Sequence, residues 1–227
     1  RRFGEAYPAA EAFDYIKLLY QNEFGCGHLC PDRGKALSLL TKEWSGMIAS
    51  DHVPLFEDIG NGLCRLNLGA LQKDDLPLAA QVFQLSAEKL RGDEGSFRKK
   101  LSLLTNMALD GELPLDGAKT AFAVKAYLFE GVRPVHHSAS YRERYAPHYR
   151  VIETSYAVFF PALRAAEKLL ETGKRAILAI DGRCASGKTS LAGMIENIFP
   201  CNVFHMDDFF LPFDMRTDER LSAPGGN

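Results

Sequence analysis

Three things are scarce in this sequence, and each scarcity removes a class of function. Excess charge of one sign is scarce: 27 Lys and Arg stand against 29 Asp and Glu, a formal net charge of -2. No basic surface is expected, and nucleic acid is not a favoured partner. Long apolar runs are missing. None approaches the roughly 18 residues of a membrane span, and Arg1-Arg2 is followed by no signal-like apolar core. No membrane partner is expected. Cysteines are few and odd in number: Cys26, Cys30, Cys64, Cys184 and Cys201 are widely scattered, in a chain too large to need disulfide staples. This fits a reducing, cytoplasmic setting. Internal repeats and low-complexity tracts are not evident.

What is present is ordinary globular material. The chain has 227 residues, 46% apolar and 25% charged, enough for one large domain or two small ones. It opens on Arg rather than Met, from which we expect the natural N-terminus to have been lost.

Residues 1–172 read as a mainly helical domain. FDYIKLLYQNEF (13–24) spaces Phe13, Ile16, Tyr20 and Phe24 helically, and ALSLLTKEWSGMI (36–48) is a second helical stretch. Around 54–71, Gly60, Gly62 and Gly69 punctuate the chain, with a turn near Asn61-Gly62. DDLPLAAQVFQLSAEKLR (74–91) predicts a helix started by Asp75 and Pro77, and SFRKKLSLLTNMALDG another that ends at Gly111. Residues 118–129 suit either a helix or a strand around Phe122–Val124. An amphipathic helix is expected from Pro161 to Leu170, stopped by Gly173.

The grammar changes at residue 173. KRAILAIDG is a short apolar run bounded by glycine, which suits a buried parallel strand. TSLAGMIENIF predicts a helix, and NVFHMDDFF a second apolar run ending in two aspartates. Strand, loop, helix and strand open a doubly wound α/β sheet, so 173–227 is expected to be the start of such a domain.

Between the first strand and the helix lies GRCASGKT, a full G-x-x-x-x-G-K-[ST] pattern over 182–189. Its chemistry follows from its residue types. Gly182 and Gly187 let amides turn inward toward phosphate oxygens, with Arg183, Cys184, Ala185 and Ser186 forming the rest of the cradle and Ser190 just beyond it. Lys188 supplies a point positive charge for β and γ phosphates, and Thr189 a hydroxyl for Mg²⁺. The implied cofactors are ATP and Mg²⁺. Asp181 either supports the loop's hydrogen bonds or caps a strand, a structural role being favoured. Cys184 is a small tolerated residue, since no base stands near it in sequence.

Asp207 and Asp208 close the second apolar run, where ligands of open α/β sheets bind. A carboxylate there can accept a proton from an attacking alcohol or hold Mg²⁺ through water; a solvated turn is the alternative. From Ala176 to Asn227 the chain resembles the phosphoribulokinase and uridine kinase superfamily of P-loop kinases, particularly bacterial uridine kinase-like proteins, on the phosphate loop, on Asp207, Asp208, Phe209 and Phe210, and on LPFDMRT and APGGN. The resemblance implies an ATP-dependent kinase acting on a small-molecule hydroxyl, uridine being the first guess, with Asp207 and Lys188 catalytic and Thr189 with Asp207 placing Mg²⁺. Asp208 stands where many uridine kinases have serine, and Phe210 where they often have tyrosine, which loosens the choice of nucleoside. The superfamily carries further strands and a lid beyond this point, so 173–227 is expected to be incomplete and the fragment inactive. A nucleotide-binding regulatory module using ATP as a switch is the second reading.

Two clusters stand out in 1–172. CGHLC and the following residues offer Cys26, His28, Cys30 and Asp32, but a one-residue gap is awkward for a tetrahedral metal clamp, and packing is favoured over a site completed by Cys64. HHSASYRERYAPHYR (136–150) concentrates His136, His137, His148, Arg142, Arg144, Arg150, Tyr141, Tyr145 and Tyr149. Arginine forks and tyrosine hydroxyls suit a phosphorylated or carboxylated ligand; a solvent-facing interdomain segment is the favoured alternative. Asn22, Glu23, Glu57, Asp58 and Asn61 line the same cleft or hydrogen-bond turns and caps. A homo-oligomer is compatible with either.

Overall fold

The computed structural model describes residues 1–29, 33–47, 53–89, 91–173 and 175–222. Cys30, Asp32 and the APGGN segment lie outside the described residues. The chain divides into two compact units, Arg1–Ala176 and Ile177–Asn227.

The first unit is mostly helical and carries one three-stranded antiparallel sheet. Its helices are α1 (Arg2–Ala6), α2 (Ala12–Phe24), α3 (Arg33–Ser45), α4 (Leu76–Ala87), α5 (Glu94–Leu109), α6 (Gly117–Phe129), α7 (Ala139–Tyr145) and α8 (Thr154–Glu171). The strands β1 (Phe56–Gly60), β2 (Leu63–Asn67) and β3 (Tyr149–Glu153) lie in the order β1-β2-β3. Asn61 and Gly62, with φ of 56° and 71°, join β1 to β2. Positive φ at both central residues matches the right-handed twist of a two-residue hairpin. The turn expected near Asn61-Gly62 is thus that of a β-hairpin.

Helix starts are set by side chains that accept otherwise orphaned amides. Asp93 accepts from Ser96 N at 2.7 Å, Asp116 from Lys119 N at 2.9 Å and Ser138 from Tyr141 N at 3.2 Å. α2 begins in a capping box in which Asp14 reaches back to the Glu11 amide at 2.9 Å. Residues 118–129 are helical. α8 begins seven residues before Pro161 and runs through it, although proline removes one backbone donor; its apolar face, with Tyr156, Phe160 and Leu163 buried, holds it in place. The main cluster packs Phe3, Tyr15 and Ile16 against Phe97, Leu101, Leu104, Val124, Tyr127 and Tyr141. Phe56 meets Phe160 edge-on, ring centroids 5.5 Å apart, on the opposite sheet face from Arg65.

The second unit corrects the fold expected for it. α9 (Lys188–Ile198) forms, followed by short 3-10 turns at Met206–Phe209 and Phe213–Met215 and by α10 (Asp218–Ser222). Residues 175–182 and 200–205 form no strand. The doubly wound parallel sheet, and with it the P-loop NTPase architecture, is absent among the described residues; the only sheet is the antiparallel one of the first unit. The physical reason is partnership: an apolar run becomes a strand only when a neighbour takes its amides and carbonyls. Here Ile177 is 95% exposed and Phe204 74%. No described helix is long and apolar enough to cross a membrane.

Candidate functional site

The phosphate-loop sequence makes a local structure of its own. Gly187, at φ 90°, caps α9, and Ala185 also takes a left-handed conformation. Gly182 donates to Asp181 at 2.7 Å. The Lys188 ammonium turns back onto the loop, donating to the carbonyls of Gly182 at 2.8 Å and Arg183 at 3.0 Å. Thr189 and Ser190 are exposed, and so are Cys184 and Ser186. Asp207 and Asp208 lie exposed in the 3-10 turn Met206–Phe209 rather than at a strand end. Among the described residues no hydrogen bond, ion pair or ring contact joins Asp207 to Lys188 or Thr189.

The densest chemistry lies in the first unit, between α2 and one face of the sheet. Glu57 on β1 stands directly opposite Arg65 on β2, and Arg65 opposite Val151 on β3, so all three share a face. Tyr149, two residues before Val151, shares it too. On α2, Asp14, Lys17 and Gln21 recur at helical spacing along one stripe. α1 and its exit add Phe3 and Tyr7.

These groups form one directed hydrogen-bond chain. Arg65 donates from Nη2 to Gln21 Oε1 at 3.2 Å. The Gln21 amide donates to Tyr149 Oη at 3.1 Å, and the Tyr149 hydroxyl meets His137 Nε2 at 2.7 Å. His137 Nδ1 meets Asp14 Oδ1 at 2.7 Å. A neutral imidazole protonated at Nδ1 satisfies every link: it donates to Asp14 and accepts from Tyr149. Asp14 further accepts from Ser138 N at 3.0 Å, Ser138 Oγ at 2.6 Å and Glu11 N at 2.9 Å. At the other end Tyr7 donates to Glu57 Oε2 at 3.0 Å, and Arg65 Nη1 lies 3.3 Å from the same oxygen.

The electrostatics agree with that protonation pattern. Burial pushes His137 down, and Lys17 and Arg65 push the same way against the pull of Asp14. Burial raises Asp14, but hydrogen bonds from His137, Ser138 and the Glu11 amide overcome it and hold the carboxyl low. Burial lifts the Tyr7 phenol to about 12, with Glu57 adding to the rise; Tyr149 and Tyr141 are raised chiefly by burial as well. The tyrosines are therefore neutral donors at physiological pH.

Of the 136–150 cluster, the structure brings His137, Tyr141 and Tyr149 into this layer; Tyr141 stacks on His137 at 4.1 Å. Tyr145 lies beside it against Tyr7. Arg142 and Arg144 are exposed, while Arg150 and His148 hold Glu43 at 2.6 and 2.9 Å. Glu57 joins the layer. Its named companions do turn and cap work: Asp58 accepts from Gly60 N at 2.9 Å, Asn61 donates to Asn22 O at 2.7 Å, and Glu23 accepts from Asp93 N at 2.9 Å. Asp14, Gln21, Arg65, Tyr7 and Ser138 had no sequence signal of function, because their meaning arises mainly from contacts 44 to 128 residues apart. Cys26 and Cys64 are buried, the Cys26 thiol donating to Val151 O at 2.9 Å, and no group of three metal-ligating side chains occurs among the described residues.

A scan of family models, a search of curated proteins and a search of solved structures each gave no match to this chain. The kinase expectation is corrected accordingly. Phosphoryl transfer needs Lys188, Thr189 and Asp207 converging at the carboxyl edge of a parallel sheet. Among the described residues that edge is not built and the convergence is not seen, and no matched family or curated relative supports the assignment. The enzyme class, the uridine kinase-like description and the ATP-switch alternative fall with it.

Proposed function

We propose that the first unit, Arg1–Ala176, is a small-molecule recognition domain whose ligand enters between Tyr7, Glu57 and Tyr149 and is read by Arg65. One observation carries this reading. Arg65 is fully buried, its Nε finds no acceptor among the described residues, and its remaining contacts are long, at 3.2, 3.3 and 3.5 Å. Charge-assisted N-H···O bonds run at roughly 2.7–2.9 Å, and a buried guanidinium left short of acceptors is costly. Arg91 and Arg164 also have an unpaired Nε, yet both keep part of their side chain in water and hold close carboxylates, Glu153 and Asp75.

Recognition sites of this kind pair a few convergent polar groups with aromatic walls. The Arg65 guanidinium lies 4.5 Å from the Tyr149 ring centre and 5.5 Å from that of Phe3. Tyr7, Glu57 and Tyr149 are only part-buried, so water reaches the edge of the layer. Amide NMR spectra of the whole chain, recorded against a panel of small organic acids, amines, sugars and phosphate esters, test the reading. A saturable response centred on Tyr7, Glu57, Arg65 and Tyr149 is expected with one class of compound. No saturable response there with any of them overturns it.

A further inference from the structure

Resting on that recognition reading, we propose that the ligand carries a carboxylate, and that this group takes the seat Glu57 now occupies between Arg65 and Tyr7. Glu57 is an internal placeholder for it.

The seat has the geometry of a carboxylate site with a poorly fitted occupant. Glu57 touches Arg65 through Nη1 alone, at 3.3 and 3.5 Å, although it stands directly across the ladder. Other carboxylates of this unit sit closer to their arginines: Glu43 lies 2.6 Å from Arg150. The two donors facing Glu57, Tyr7 Oη and Arg65 Nη1, are as many as a carboxylate has oxygens, and too few for a phosphate.

Charge balance favours the same class. Arg65 is buried with Glu57 as its only contacting carboxylate among the described residues, and exchanging one carboxylate for another keeps the cation neutralised, whereas a neutral ligand in that seat leaves it bare. The leaving group has somewhere to go. The Glu57 side chain is 22% exposed, while that of Arg65 is 0% exposed, so Glu57 can swing into water as Arg65 stays fixed between Phe3, Tyr149 and Gln21. Tyr7, neutral because burial and Glu57 raise its phenol, remains a donor to whichever carboxylate is present.

The test uses the whole chain at constant ionic strength, with acetate as probe, acetamide as its uncharged isostere and sulfate as a competing oxyanion. The readout is the Arg65 Nε-H signal together with the Tyr7 and Glu57 amides. Acetate is expected to shift them saturably and acetamide to leave them still. Glu57→Gln, which removes the competing charge, is expected to tighten acetate binding by roughly tenfold or more; Tyr7→Phe, which keeps every charge, is expected to weaken it by roughly tenfold. Should Glu57→Gln fail to fold, Tyr7→Phe decides alone. An equal response to acetamide or sulfate, or an acetate affinity indifferent to the foldable variants, overturns the carboxylate seat while leaving recognition of some other ligand intact. Silence of these signals toward acetate and toward the whole compound panel removes both.

Discussion

Residues 1–176 and 177–222 build their polar structure over different distances along the chain. In the first unit Asp14 meets His137 across 123 positions and Tyr149 meets Gln21 across 128; each bond closes a long loop, and only a packed core offsets that entropy. In the second, the phosphate-loop bonds join residues one to six apart, and the apolar runs on either side of α9 stay exposed. A glycine-rich turn followed by a helix forms from its own backbone. A sheet does not. The difference teaches that a short motif can take its local shape without the architecture that gives the motif its chemistry.

The sharpest way to break this comparison is hydrogen exchange. Amides of Leu63–Asn67 in β2, paired on both sides, are expected to exchange on the order of a thousandfold or more slowly than those of 177–181 and 202–205. Comparable protection in the latter would mean that they pair as strands. Core truncation should follow the same divide: Phe97→Ala, at a residue with no exposed surface, is expected to destabilise by about 3–5 kcal/mol. Phe204→Ala, at 74% exposure, should stay within about 0.5 kcal/mol in the same urea titration.

Removing Asp14 strips the buried end of the hydrogen-bond chain from His137, Ser138 and the Glu11 amide. Asp14→Ala is expected to cost about 3 kcal/mol by urea unfolding; a loss under about 1 kcal/mol would mean the chain contributes little. The pH dependence is smaller and has a fixed sign. His137 titrates below its ordinary 6.5 when folded, through burial first and then Lys17 and Arg65, against Asp14. Between the two values the unfolded chain holds a proton that the folded chain refuses. Stability is therefore full above about 6.5 and falls as pH drops toward the folded value, by at most about 1.4 kcal/mol per pH unit. Urea midpoints from pH 7.5 to 5 should show this slope in the parent and a shallower one in His137→Gln. Least of all, Lys188→Ala removes two bonds from a loop in the second unit and should change stability by under about 0.5 kcal/mol.

Much of the first unit's helical content was legible from periodicity. α2, α4 and α5 lie within or close to the stretches whose apolar spacing predicts them. The sheet was less so. Asn61-Gly62 is the strongest short hairpin signal there is, yet the flanking FEDIG and LCRLN do not alternate cleanly, because Arg65 is as buried as Leu63 and Leu66. A buried arginine hides a strand from any reading that puts charge outside. β3 was obscured in the same way by Arg150 and Glu153, which are held by Glu43 and by Lys89 with Arg91. The second unit misled in the opposite direction: AILAI and NVFH carry the composition of strands, and composition says nothing about whether a partner is present. The polar layer was half visible. His137, Tyr141, Tyr149 and Glu57 stood in notable local patterns, while Asp14 and Gln21 stood in none.

The carboxamide of Gln21 separates two electrical domains. An imidazole or a carboxylate can pass a proton along, but an amide at this position cannot, so the hydrogen-bond path from Arg65 toward Asp14 carries dipole orientation and no proton, beside the through-space push of the Arg65 charge on His137. Whatever happens at the arginine end can reach His137 as a rotation of one amide and one hydroxyl, without moving net charge through the core. In wiring terms, Gln21 is a capacitor between two terminals rather than a conductor.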